Sequence, residues 1–291
     1  MRGPDHPGLT RTRADKAAFL SYMHSPRYVR WRTYAFSLPV ENAPSGEESL
    51  RMPAVAPWKP QNQLLDNLPD DVCARLRADM QLVDLPKDKV LYEVGSQQSQ
   101  IYFVRSGIVS LQYVTSSGES GEIAMVGNEG MVGVAVMVDS SAAPSRAVVQ
   151  ISGEALAAKA EAIDREFRRG GPFQVMMLRY TQMLLSQIAQ AAICSRHHSI
   201  EKQLARWLLL GFDRIPRDAE LRITHEAIAN LLGVRREGIT EAAGRLQEAE
   251  LISYGRGRVR LLDRKRLEAH SCECYRMVRN EYARLMAKGD D

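Results

Sequence analysis

Residues 224–262 read THEAIANLLGVRREGITEAAGRLQEAELISYGRGRVRLL. Two short helical patterns flank one glycine, and an alternating apolar–polar stretch follows. Thr224 is a good N-cap, because its hydroxyl can accept from an unpaired amide of the first turn. Ala227 stands three residues on, so the carboxylate of a full capping box is missing. Ile228, Leu231 and Leu232 recur at helical spacing and predict one buried face. Gly233 stands where the first helix must stop and reverse, a place for the left-handed backbone that glycine adopts cheaply. A second helix is predicted over 235–249, with Ile239, Ala242, Ala243 and Leu246 as its buried side. Arg235, Arg236 and Glu237 in its first turn should point away from that side. Residues 251–254 and 259–262 read as short strands joined by Gly255-Arg256-Gly257-Arg258, a glycine-containing hairpin turn with a basic tip. Helix, glycine turn, polar-ended helix and basic β-wing make a winged helix-turn-helix, whose second helix enters a DNA major groove N-terminus first.

Between residues 235 and 266, nine Arg/Lys stand against five Asp/Glu. Phosphate contacts dominate affinity for DNA, so this surplus points to nucleic acid as the partner. Arg235, Arg236, Glu237 and Glu241 are the candidate base contacts. Arg can pair bidentately with a guanine, and a carboxylate can accept from a cytosine amine. Thr224, Thr240, Arg245, Arg256 and Arg258 are the candidate phosphate contacts. The competing reading is a ligand-sensing module that works through protein contacts, with a vestigial DNA domain.

The rest of the 291 residues allows about two domains. Residues 61–195 carry 11 basic and 15 acidic side chains, whereas residues 196–291 carry 19 and 15. An acidic middle and a basic C-terminal part suggest separate tasks. No run of apolar residues is long enough for a membrane span, and the N-terminus lacks the apolar core of a signal peptide. A cytoplasmic protein with four reduced cysteines is expected. Residues 1–58 hold Pro4, Pro7, Pro26, Pro39, Pro44, Pro53 and Pro57 and few periodic apolar positions, so a poorly ordered tail is expected. An upstream start codon would explain such a tail equally well, with Met52 as the candidate true start.

A helix is predicted over 64–80, with Pro69 starting its second half. From 81 to 158 short apolar runs alternate with turn signals at Gly95, Ser106-Gly107, Ser116-Ser117-Gly118 and Gly127-Asn128. Residues 132–137 are among these runs. That rhythm predicts a β-sandwich or jelly roll. After Gly170-Gly171-Pro172 the period turns helical. Phe173, Met177, Tyr180, Leu184, Ile188 and Ala191 form one long apolar stripe. Such a stripe can pack on its twin, and Met177, Tyr180, Leu184, Ile188 and Ala191 are the expected dimer interface. Helices over 199–211 and 264–286 complete the chain.

This order of elements resembles the Crp/Fnr superfamily of cyclic-AMP-receptor-like transcription regulators. The resemblance is carried by GVRREGITEAAGRLQEAELI at 233–252 and RYTQMLLSQIAQAAICSRHHSIEKQLARWLL at 179–209. It implies an α+β chain: a cyclic-nucleotide-binding-like β-roll over 59–170, a dimerisation helix over 171–196 and a winged helix-turn-helix over 197–264. A C-terminal helix over 265–291 would follow. It also implies a homodimer on a two-fold-symmetric DNA site, with RNA polymerase as a further partner if the protein is an activator. Arg236-Glu237 match the family's recognition helix. Its frequent second Arg, one turn on, falls at Glu241, so the half-site should differ.

Cyclic-nucleotide binders of the family use a Gly-Glu-Leu turn and an Arg-Ser pair around the cyclic phosphate. The matching stretches here are Gly133-Val134-Ala135 and Ser145-Arg146-Ala147. Val134 replaces the Glu that would hold the ribose hydroxyl, and the Arg-Ser order is not kept. The pocket at Gly133, Val134, Ser145 and Arg146 is therefore expected to be degenerate, and cyclic AMP is not expected as a ligand.

Other chemistry finds little support. Cys73, Cys194, Cys272 and Cys274 lack metal-ligand spacing, since Cys272 and Cys274 have one residue between them where metal pairs have two or more. Cys194 with His197 and His198 lies near the expected hinge, where metal sensing is the alternative to a plain polar helix junction; the junction is the preferred reading, so no metal is expected. Glu93, Glu119, Glu122 and Glu129 fall at turns or strand ends and read as solvated loop charges. No glycine-rich phosphate loop, nucleophile elbow or HExxH helix appears, so the chain is not expected to be an enzyme.

Overall fold

A computed structural model describes residues 59–138 and 142–286, and the tail expected over 1–58 lies outside them. The helix predicted over 64–80 is two helices, α1 (Gln63–Asp66) and α2 (Asp70–Arg77), separated around Pro69. Asn62 caps α1 by accepting from the Leu65 amide at 3.3 Å, and its Nδ2 donates to the Val104 and Gly130 carbonyls, each at 2.8 Å. A fully buried amide thus anchors α1 to the sheet, its polar atoms satisfied.

That sheet is antiparallel and six-stranded: β1 (Met80–Leu85), β2 (Val90–Tyr92), β3 (Gln100–Val114), β4 (Ser120–Val126), β5 (Met131–Val132) and β6 (Arg146–Lys159). Its order is β1-β6-β3-β4, with β2 on β6 and β5 on β3. The long strands β3 and β6 are its backbone. Turn residues at Ser106-Gly107 do not end β3. They make an irregularity in the β3–β6 register, where Gly107 takes φ +82°. A Cβ on the facing Gly153 would lie 2.0 Å from the Ser106 carbonyl, so two bare backbones cross here. The strand expected over 132–137 ends at Val132. Gly133, at φ +113°, turns the chain out of the ladder, and Val134–Val138 coil into a 3₁₀ turn.

Helix α3 (Ala160–Arg169) follows β6 directly and has no counterpart among the predicted elements. Gly170 and Gly171, both at positive φ, separate it from the long helix α4 (Pro172–His197), with Pro172 in the first turn. The stripe expected to meet a second subunit does not face outward. Met177 and Tyr180 are 0% and 1% exposed and belong to the chain's own core, with Ile101, Phe103 and Met131. The Tyr180 hydroxyl donates to the Met131 carbonyl at 2.7 Å. Gly130 leaves room for that ring, since a Cβ there would sit 2.7 Å from the Tyr180 hydroxyl. Leu184 and Ile188 pack against the β-sheet core as well, and Ala191 is only partly exposed. Burial of a large apolar side chain is worth about 1.5–3 kcal/mol, so this stripe fastens α4 to its own sheet.

The C-terminal part is built on α5 (Ile200–Phe212), capped by Ser199 and buried along nearly its whole length. Around it lie α6 (His225–Leu232), α7 (Arg236–Glu248) and a small sheet. That sheet has the order β7-β9-β8, from β7 (Leu221–Arg222), β8 (Ile252–Gly255) and β9 (Arg258–Leu261). The helix predicted over 264–286 is broken at Ser271-Cys272 into α8 (Arg264–His270) and α9 (Glu273–Met286). Helix α9 turns back to pack against α4.

Candidate nucleic-acid interface

Helix α6 begins as its sequence predicts: the Thr224 hydroxyl accepts from the Ala227 amide at 3.1 Å. It ends at Gly233, in the left-handed region at φ 66° and ψ 36°. Helix α7 buries Ile239, Ala242, Ala243 and Leu246, the four positions its periodicity marks. Gly238 lets it approach α5 closely, since a Cβ there would lie 2.7 Å from Ile200 Cδ1. With that face seated, Arg235, Arg236, Glu237, Thr240 and Glu241 are exposed together on the other.

Arg235 occupies the N-cap position of α7 without a side-chain capping bond. The first-turn amides keep their partial positive charge, and an anion is favoured there. Arg235 has no ion pair among the described residues. Arg236 has only a loose one, its Nε 3.9 Å from Glu226 with both side chains mostly exposed. Such a pair is worth little and is easily exchanged for an external acceptor.

His225 holds the parts in register, a role its sequence position does not reveal. Its Nδ1 is 3.0 Å from Thr240 Oγ1, joining α6 to α7. Its ring stacks on Tyr254 of β8, with centroids 4.2 Å apart and planes 12° off parallel. The Tyr254 hydroxyl donates to the Ile223 carbonyl at 2.9 Å. Burial, with the Arg236 charge beside it, holds the His225 pKa below its ordinary value. Thr240, expected to reach a phosphate, already engages its hydroxyl with His225 and the Arg236 carbonyl.

The wing is tighter than its sequence suggests. Gly255 and Arg258 are paired across β8 and β9, leaving Arg256-Gly257 as a two-residue loop at φ +51° and +71°. Both central residues at positive φ define a type I′ turn, which matches strand twist. Arg256 sits at its tip with no ion pair among the described residues. Arg258 is partly shared with Glu220, which binds Arg260 more closely. Strand β7, too short to predict, pairs Leu221 with Val259 and fixes the wing to the helices. Arg245 departs from expectation. Its Nε donates to Glu201 of α5, a carboxylate that also holds His270. That pair engages its charge within the chain, while the side chain stays 51% exposed.

On the β-sheet, Gly133 has no space for a side chain, since a Cβ would lie 2.5 Å from Ile101 Cδ1. Arg146 has its Nε 3.2 Å from the carboxylate of the exposed Glu93, close enough for an ion pair but without a hydrogen bond. Burial pushes the nearby Tyr92 phenol up to about 12, against the pull of Ser145 and Gln98.

Two carboxylates read as solvated are not. Glu129 is buried and accepts from Arg214 Nε at 2.8 Å and from the Gly127 amide at 3.0 Å. Arg214 follows α5, so this ion pair ties the β-sheet half to the helical half. Glu122 accepts from Trp207 Nε1 of α5 at 2.8 Å while its other oxygen is shut off from solvent, and burial raises its pKa. The cysteines cluster in a way their spacing does not reveal. Cys194, Cys272 and Cys274 are all buried, and with His198 their ligand atoms lie within 4.8 Å of one another.

Comparison with known proteins agrees with this architecture. Residues 82–169 match the cyclic nucleotide-binding domain, and residues 202–270 match the Crp-like helix-turn-helix domain. The global nitrogen regulator of Nostoc sp. is 23% identical over 181 residues, which are 60% of this chain and 81% of that protein. Among solved structures, FixK2 from Bradyrhizobium japonicum superposes with a TM-score of 0.59 at 16% identity, covering 66% of this chain and 98% of that one. A CRP-family transcriptional regulator from Thermus thermophilus gives 0.54 at 19%, covering 65% and 96%. At these identities the structures speak for the fold alone.

Proposed function

This chain belongs to the Crp/Fnr family of DNA-binding transcription regulators, and on that premise we propose that it binds a two-fold-symmetric DNA site as a homodimer. Regulators of this family are typically dimeric. In this reading α7 enters the major groove, with Arg235, Arg236, Glu237 and Glu241 at base edges. Arg256 and Arg258 of the wing, with Thr224, meet phosphates. The observation that carries it is the exposure of Arg235, Arg236 and Arg256 on the recognition helix and wing, two of them without ion pairs among the described residues. A cation with no internal partner is readily directed to a phosphate or a guanine.

The second subunit docks on the outer face of α4 rather than on the stripe first expected. Val175, Leu178, Gln182, Leu185, Ala189 and Ala192 recur every three and four residues along that face. Leu178 and Leu185 are each 57% exposed. Leucines at such spacing on a long helix are the seam of a two-helix contact. The β-sheet half acts as a sensor for something other than cyclic AMP. Val134 and the Arg146–Glu93 contact support that. Calorimetric titration should give no micromolar affinity for cyclic AMP, and finding one overturns this part.

Selection of bound duplexes from a random pool tests the whole reading. A palindromic site with half-sites about one helical turn apart is expected, with affinity falling steeply as salt rises. A protein that ignores duplexes of every sequence in dilute buffer is instead a protein-interaction module.

A further inference from the structure

Four side chains, drawn from two distant stretches of sequence, converge at the end of α4. Cys194 lies in its last turn, and His198, four residues on, is its C-cap. Cys272 lies just before α9, and Cys274 is in the first turn of α9. The Cys194 and Cys272 sulfurs are 3.6 Å apart, and Cys274 Sγ is 3.7 Å from His198 Nδ1. No pair is bonded; all three thiols are free.

These distances suit one ion at the centre. A tetrahedral zinc with bonds of about 2.3 Å to sulfur and about 2.0 Å to nitrogen places its ligand atoms roughly 3.5–3.8 Å from one another. The remaining imidazole nitrogen, Nε2 of His198, is 3.3 Å from the Glu273 carboxylate. That is the outer partner a metal-bound histidine needs to fix its tautomer and orientation. Arg206, buried on α5, acts on Cys194 and Cys274 as a nearby positive charge, and its Nε has no hydrogen-bond partner among the described residues. Three thiolates around a divalent cation leave one net negative charge, which this guanidinium offsets. The shell is three-quarters sulfur and buried, so it favours a soft or borderline cation over magnesium or calcium.

We propose that Cys194, His198, Cys272 and Cys274 bind a single zinc ion that pins the start of α9 to the end of α4. Binding releases the three thiol protons, and no oxidation or reduction is involved. The ion sits where α4 gives way to α5, the point at which the C-terminal half begins. It therefore sets how firmly that junction is held. The proposal stands whether or not the chain reads DNA.

The test uses the full chain, made in zinc-supplemented medium and purified under thiol reductant without chelator. Metal analysis should find about one zinc per chain, a content cut at least tenfold by Cys272→Ser and unchanged by Cys73→Ser, whose thiol lies elsewhere. Should Cys272→Ser not fold, the wild-type chain decides. Stripped with chelator and titrated with cobalt(II), it should give tetrahedral ligand-field bands and a thiolate-to-cobalt charge-transfer band that saturate at about one equivalent, as expected for such a site. Absence of both zinc and the cobalt bands, or bands kept in full by folded Cys272→Ser, overturns the proposal. So does iron with acid-labile sulfide, or a Cys194–Cys272 disulfide formed under the same reductant.

Discussion

Arg236 and Arg256 are both cations, but they should fail in different ways. Arg236 leaves the first turn of α7 beside a helix N-terminus, where bidentate pairing with a guanine is available. Arg236→Ala should lose roughly 1–3 kcal/mol on the preferred duplex and relax selectivity at one base pair, as read by binding to single-site variants. Arg256 is held at the tip of a type I′ turn, and in the proposed complex it reaches only the phosphate backbone. Arg256→Gly should weaken binding to all duplexes alike and lower the salt slope by about one. Because glycine suits positive φ, the turn itself should keep or gain stability. His225 makes a third, pH-dependent case. Its folded pKa lies below the ordinary value, so the unfolded chain takes up the proton first as pH falls. Stability should therefore decline as pH drops through the unfolded value near 6.5. Denaturant melts at about pH 8 and about pH 5 should show the loss in the wild type. It should be smaller in His225→Phe, which keeps the stack on Tyr254 but has nothing to titrate.

At the scale of elements, buried charge joins the two halves. Glu129 follows β4, Arg214 follows α5, and neither side chain is more than 9% exposed. Removing one partner leaves the other buried and unpaired, so Glu129→Ala should cost about 3–5 kcal/mol in equilibrium unfolding. Replacing both by well-packed apolar residues should cost far less. A variant pair whose losses simply add would contradict this account of the junction. Glu122 is the opposite case: its raised pKa means the ionised form is penalised in the fold. Stability is thus present below the unfolded carboxyl pKa and is lost as pH rises through the folded one. Glu122→Gln, which can still accept from Trp207, should raise the melting temperature at neutral pH and lose that advantage in acid.

At the scale of the whole molecule, α4 has two apolar faces with different tasks. Its inner face fastens the helix to the sheet, and its outer face carries the exposed Leu178 and Leu185 that are proposed to meet a second subunit. Leu178→Glu with Leu185→Glu should yield a folded monomer by sedimentation. Its affinity for a two-half-site duplex should fall to that of a single half-site. Tyr180→Ala should instead lower stability by about 3–5 kcal/mol, the range for emptying an aromatic core site, without selectively dissolving a dimer. The two results together would separate the faces.

The helix-turn-helix was legible from local rules. The Thr224 cap, the left-handed Gly233 and the apolar spacing of α7 depend on neighbours within a few residues, and so does the turn at Arg256-Gly257. The same rules found the strand rhythm of the β-half. They could not say which of two apolar stripes on α4 meets the sheet, because periodicity gives a face and not its partner. They could not tell Arg245, bound to Glu201, from Arg256, which pairs with no carboxylate among the described residues. Pairing across 44 residues is set by how α5 and α7 cross. Nor could they bury Glu129 or gather Cys194, His198, Cys272 and Cys274. The thiols and the imidazole meet only where α9 folds back along α4. Sequence alone determined the helix-turn-helix, its wing and the strand rhythm, though not α3, β7 or the breaks around Pro69 and Cys272; tertiary structure decided which charges, thiols and leucines meet a partner, because burial and pairing are properties of contacts between distant segments.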